Sequence, residues 1–288
     1  MANDRSAPPL PEPLPVPVHD DHTHINFAPD AELWSPDGEP LALETATEAL
    51  DLAESVGVRG VVQVGTNLPD SRWAVALAER DPRVLAAVAI HPNDAPDLAA
   101  ARTLDDALAE LDALAARPRV RAIGETGMDF FRTGADGIDA QRASFLGHIA
   151  IAKRHALALQ IHDRDAHETI ADLLDEVGAP ERTVLHCFSG DADFARRCLD
   201  AGYYLSFAGT VTFKNAPALR EALAITPLDR ILVETDAPFL TPEPYRGRPN
   251  SPYLVPVTLR RMAAELGLDV AELGARVAAN AEAVYGPW

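Results

Sequence analysis

What most constrains this 288-residue chain is a regular alternation along it. Short runs rich in Val, Ile and Leu recur at 18–25, 59–65, 84–91, 120–126, 157–162, 182–187, 202–208 and 230–235. Helical patterns fall between them, at 43–56, 70–80, 103–116, 139–154, 165–177, 191–200 and 215–224, and two more follow at 255–266 and 269–284. Strands that alternate with helices predict βαβ units and a parallel sheet. Eight such units predict a closed α/β barrel, the (β/α)₈ TIM barrel, which takes about 250 residues. An open doubly wound sheet is the competing architecture. The barrel is expected to occupy 18–288 as a single domain with one extra C-terminal helix.

Residues 1–17 contain six prolines and no apolar stretch, so they are expected to form a disordered, proline-rich tail rather than a signal peptide. No apolar run reaches the roughly 20 residues that a membrane span needs. The two cysteines, Cys187 and Cys198, fit neither a disulfide framework nor a zinc motif. A reduced, cytoplasmic protein with no membrane role and no obligate protein partner is the expectation.

Reactive side chains collect at the strand ends. Five of the nine histidines lie there, namely His22, His24, His91, His162 and His186, together with Glu125, Glu234 and Asp236. In a TIM barrel these ends form one mouth, where the active site sits. His22 and His24 are two apart on one strand and face the same way, a poor core and a good chelate. Glu125 ends an apolar run, where a cation would offset the cost of its burial. His162 and His186 occupy matching positions on adjacent strands. Asp236 is placed to reach a metal and a water, while Glu234 lies one layer deeper and is expected to act behind the ligands. His91 either touches a phosphate, moves a proton or makes a structural hydrogen bond. His148, His155 and His167 are expected to be solvated on helices, and Cys187 to pack toward the helix layer.

The motifs Asp20-Asp21-His22-Thr23-His24, Gly124-Glu125-Thr126-Gly127-Met128-Asp129, Ile161-His162-Asp163-Arg164 and His186-Cys187-Phe188-Ser189-Gly190 occur in that order. Ser206 to Asn215, Glu234-Thr235-Asp236-Ala237-Pro238 and Tyr245 to Pro252 follow. Over almost all of 18–288 the chain resembles the TatD family of metal-dependent deoxyribonucleases, among the amidohydrolase-like TIM barrels. The resemblance implies that His22, His24 and Asp236 hold one divalent cation, that His162 and His186 hold a second, and that Glu125 bridges them. It implies magnesium, whereas imidazole-rich ligands suit zinc or manganese. The proline-rich start has no counterpart in the family pattern, and Ile25-Asn26 stands where Leu-Asp is usual.

Charge bears on the substrate. With 44 acidic and 25 basic residues the net charge is −19, which argues against broad nucleic-acid binding. Yet the mouth loops carry Arg132, Arg164, Lys214, Arg246 and Arg248, which either bind phosphate or pair with acids such as Asp163 and Asp165. A small cationic mouth on an acidic body favours the end of a nucleic-acid strand over a long duplex. The expected activity is 3′–5′ exonuclease action on single-stranded DNA, with Asp236, Glu125 and His91 as the catalytic set. The alternative is hydrolysis of a small phosphoester, lactone or amide on the same barrel. Phe130, Phe131, Phe213 and Tyr245 lie in mouth loops, where they stack on a terminal base or simply pack under the loops.

Overall fold

The computed structural model describes residues 6–25 and 43–288. Asn26, in the departure from the family pattern, lies outside them. Eight parallel strands follow one another in chain order around a single sheet. They are β1 (Val18–Thr23), β2 (Val58–Val64), β3 (Val84–Val88), β4 (Val120–Asp129), β5 (Ala158–Arg164), β6 (Thr183–Leu185), β7 (Tyr204–Phe207) and β8 (Ile231–Val233). The helices are α1 (Leu43–Ser55), α2 (Leu68–Arg80), α3 (Ala95–Ala100), α4 (Leu104–Ala115), α5 (Ile138–His155), α6 (His167–Val177), α7 (Ala192–Asp200), α8 (Pro217–Ile225), α9 (Val255–Leu266) and α10 (Val270–Tyr285). The ends of β1 and β8 are stitched together by Asp236 N–H donating to His22 O at 3.0 Å and His24 N–H donating to Ala237 O at 2.8 Å. The architecture is the (β/α)₈ barrel with α10 as the added helix. The short α3 is an element that the apolar spacing does not predict.

Strands buried on both faces read as continuous apolar runs, and β3 shows why. Leu85 and Ala87 join an interior cluster with Val62, Val64, Ala122, Ala158, Val184 and Leu232. Val84, Ala86 and Val88 belong instead to the larger layer shared with the helices. The foot of the barrel is closed by α10, whose Ala281, Val284 and Tyr285 enter the interior cluster. Trp288, just beyond it, stacks on His19 with ring centroids 3.8 Å apart and donates to Val61 O at 3.3 Å. His19, to which the sequence assigned no role, is therefore part of this plug.

The proline-rich segment runs from residue 6 to residue 17 with no helix or strand, and it bends at Pro15 and Val16. It is also fastened. Arg248 donates to Ser6 O, Ser6 Oγ and Ala7 O, each at 2.8 Å. Tyr253 OH donates to Pro8 O at 2.7 Å, and Arg260 donates to Glu12 O at 2.7 Å and Pro13 O at 3.1 Å. Leu14 N–H donates to Val56 O at 3.0 Å. A proline-rich extended chain lacks donors and turns its carbonyls outward, so Arg and Tyr donors suit it. The expected tail thus divides: residues 1–5 lie outside the described residues, and 6–17 are a strap laid against the barrel.

Candidate metal centre

The site is built on strand β1, whose two aspartates are tied inside the barrel. Asp20 accepts from Thr235 N–H at 2.9 Å and Thr235 Oγ1–H at 2.5 Å. Asp21 accepts from Ser206 Oγ–H at 3.0 Å and Tyr285 OH at 3.3 Å. So held, the strand aims His22 and His24 at one point, with their Nε2 atoms 3.2 Å apart.

Glycines bring Glu125 into place on β4. A Cβ at Gly124 would stand 2.5 Å from the Gln160 side chain, and one at Gly127, where φ is +142°, would stand 2.0 Å from His162 O. Only glycine lets β4 and β5 run this close. The Glu125 carboxylate then faces two ways. Its Oε2 is 3.7 Å from His22 Nε2 and 3.6 Å from His24 Nε2. Its Oε1 is 2.6 Å from His162 Nδ1 and 2.9 Å from His186 Nε2. Asp236 joins the first half, with Oδ1 3.5 Å from His24 Nε2 and 3.9 Å from His22 Nε2.

Three of the four imidazoles are oriented from behind. His24 Nδ1 lies 2.9 Å from Val64 O, His186 Nδ1 lies 3.2 Å from Glu234 Oε1, and His162 Nε2 lies 3.3 Å from Asp129 Oδ2. Each of these partners is an acceptor, so with a cation bound the ring proton would sit on the rear nitrogen and the front nitrogen would offer a lone pair. Those front nitrogens and the carboxylate oxygens converge on the same small space. Such a donor set fits divalent cations. Glu234 takes the position behind the ligands that its depth implied. Asp129 is a partner that the sequence reading missed; it lies buried and also accepts from Asn93 Nδ2 at 3.1 Å. Its place in Gly-Glu-Thr-Gly-Met-Asp, four residues after Glu125, was the available signal.

Electrostatics follow the same pattern. Burial by itself would raise the Glu125 carboxyl, but the charges of His186 and His91 and the hydrogen bonds from His162 and His186 outweigh it and hold the group well below the usual range. Burial would lower His186, yet Glu125 and Glu234 raise it well above an ordinary imidazole. His22 is lowered by burial and by His186, whose ring stacks on its own at 3.8 Å.

His91 Nε2 is 3.5 Å from Glu125 Oε1, while its Nδ1 accepts from Asn93 N–H at 3.1 Å. That bond assigns the proton to Nε2, so His91 presents a donor to the site rather than a lone pair. A cavity of about 340 Å³ opens above Glu125, His162, His186 and Asp236. Arg164 lines it. Arg132, Arg164, Lys214 and Arg246 make no ion pair with any described carboxylate, whereas Arg72, Arg83, Arg117, Arg154 and Arg197 elsewhere each have one. Asp163, the proposed partner for an arginine, instead bonds His167 at 2.6 Å. Arg248 is not brought to the cavity group, since its guanidinium is engaged by the strap.

Four placements correct the sequence reading. Cys187 lines the cavity instead of packing toward the helices, because β6 ends at Leu185 and the chain turns through φ +42° at Cys187, which ends the strand alternation. Burial pushes its thiol well above the ordinary range, which suits a neutral wall and not a thiolate ligand. His148 is fully buried, accepting from Ile90 N–H at 3.0 Å. His155 and His167 are partly buried and paired, with Asp112 at 2.8 Å and with Asp163.

A barrel with this histidine and carboxylate cluster at its mouth defines a metal-dependent hydrolase. The family model described as TatD related DNase matches residues 19–286. The chain belongs to that family. It is 43% identical over 273 residues to an uncharacterized metal-dependent hydrolase TatD of Mycobacterium tuberculosis, covering 93% of this chain and 97% of that protein. It is 36% identical over 245 residues to a 3′-5′ ssDNA/RNA exonuclease TatD of Citrobacter rodentium, covering 83% and 91%. The crystal structure of a TatD homolog, YJJV, from Escherichia coli K12 superposes with a TM-score of 0.82 at 25% identity, covering 93% and 97% of the two chains.

Proposed function

We propose that this hydrolase is a 3′–5′ exonuclease acting on the ends of single-stranded DNA, with two divalent cations side by side at the barrel mouth. The observation that carries the two-cation reading is the division of Glu125, one oxygen toward His22 and His24 and the other toward His162 and His186. Asp236 completes the first set, and Glu125 is the bridge. Magnesium, manganese and zinc are the candidate ions; bound by these residues they would supply Lewis-acid stabilisation of the phosphodiester oxygens and an activated water near neutral pH. The residues supply the rest. Asp236, partly open to the cavity, orients the water and takes its proton. His91 offers Nε2–H to a phosphate oxygen or to the leaving oxygen. Arg132, Arg164, Lys214 and Arg246, which pair with no carboxylate among the described residues, receive the phosphate, with Arg forks matching its geometry. Support for a nucleic-acid substrate comes from these cations and from the activity named for the Citrobacter relative.

The test is degradation of 5′-labelled and 3′-labelled single-stranded DNA with magnesium, manganese or zinc and a chelator control, run beside a simple phosphodiester and a lactone. The expected result is metal-dependent stepwise loss from the 3′ end. Asp236→Asn should lower turnover by about 10²–10⁴-fold with an unchanged circular dichroism spectrum. Retained turnover in that variant would remove the role given to Asp236. Cleavage of the lactone or the small phosphodiester without cleavage of DNA would move the reading to a small-molecule hydrolase.

A further inference from the structure

Four aromatic residues stand in the mouth loops, and three are occupied. Phe130 and Tyr245 are partly buried against the core, and Phe213 is partly buried beneath the Arg246 guanidinium, 4.2 Å from its ring centroid. Phe131 is different. It is 64% exposed, the most open large apolar side chain among the described residues. One face of its ring carries the Arg164 guanidinium, 3.9 Å from the centroid, and Arg164 lines the cavity over the metal centre.

The ring stands on a fixed loop. Phe131 N–H and Arg132 N–H both donate to Asp129 Oδ1, at 3.0 and 2.8 Å, and Phe130 N–H donates to Arg164 O at 2.9 Å. The other oxygen of the same carboxylate faces His162 Nε2. One buried aspartate therefore fixes the backbone that carries the aromatic ring and faces a candidate metal ligand, while the same loop is bonded to the Arg164 backbone. An exposed phenylalanine held this firmly contributes nothing to the core, and its surface suits a flat, apolar, π-bearing partner.

We propose that Phe131 and Arg164 form a stacking site for a nucleobase, taken by the nucleotide whose phosphate enters the cavity. The proposal rests on the nuclease reading above and adds what that reading leaves open. The protein selects unpaired, base-bearing ends over bare phosphodiesters, without preference among bases, because every base has a π-face. A base within a duplex is stacked and paired, so it reaches this ring only after fraying.

The experiment uses the full metal-loaded protein and single-stranded tetranucleotides. Each carries 2-aminopurine at one position, with phosphorothioate linkages to slow hydrolysis. Wild type and Phe131→Tyr should quench the fluorescence strongly at one position at or beside the 3′ end. Phe131→Ala should lose that quenching and bind about 5- to 100-fold more weakly. An abasic tetranucleotide should bind wild type and Phe131→Ala equally. The exposed position keeps the fold intact, which a thermal melt checks. Equal quenching and affinity in Phe131→Ala would overturn the proposal, as would efficient DNA cleavage with no quenching at any position. Quenching that depends on Phe131 in a protein that cleaves no DNA would uphold the base site and remove only the nuclease reading.

Discussion

His148 shows how a single buried imidazole couples this protein to pH. Its Nε2 accepts from Ile90 N–H and its Nδ1 lies 2.7 Å from Ser144 O, so the native ring is used in its neutral form. Burial lowers its pKa from 6.5 to about 4. The unfolded chain takes up this proton near pH 6.5, and the native protein only near pH 4. The stabilisation is therefore complete above pH 6.5 and is lost as pH falls toward 4, at most about 3 kcal/mol for such a shift. In chelator-treated protein the Tm should fall with acidification over this window, and more gently in His148→Gln. Parallel curves for the two proteins would assign the acid sensitivity to other groups. The sequence placed His148 on a helix correctly. What it lacked was the packing of α5 on β4 and against the loop after β3, which turns that helix position into an interior one. Cys187 went astray for a related reason, since alternation holds only while the strand continues.

Elements were far more legible than contacts. Every expected strand and helix has a counterpart, because parallel strands buried on both faces leave unbroken apolar runs and the helices between them keep their own period. The convergence of the candidate ligand residues was legible too, since strand ends in a barrel meet whatever their separation in sequence. Asp129 behind His162 and the short α3 were not, because hydrogen-bond partners and brief loop helices leave no periodic trace. Nor was the strap, whose composition reports extension but not attachment. Its attachment has a measurable consequence. Deleting residues 1–13 removes the acceptors of Arg248, Tyr253 and Arg260. These side chains make six hydrogen bonds, and at the exposed end of the range, about 0.5 kcal/mol each, the loss is about 3 kcal/mol. The Tm should then drop by roughly 6–12 °C. An unchanged Tm would show that these bonds do not hold the strap in solution.

At the scale of the whole molecule, a net charge of −19 surrounds a cavity lined by Arg164, and the four proposed phosphate contacts, Arg132, Arg164, Lys214 and Arg246, make no ion pair among the described residues. A body of that charge disfavours a long strand along its flank. If these four make the phosphate contacts, the plot of log affinity for single-stranded DNA against log salt should be no steeper than about −3, at roughly −0.7 per contact. A steeper slope in a salt titration would require a further binding track outside the mouth. The barrel also imposes an order on its own making. Asp21, next to His22, is held by Ser206 and by Tyr285 of the last helix, and Asp236 lies far along the chain from the histidines it faces. A growing polypeptide leaving the ribosome exposes its first imidazoles long before the groups that aim them. The cation pocket therefore takes shape only once α10 has been made and seats itself in the foot of the barrel.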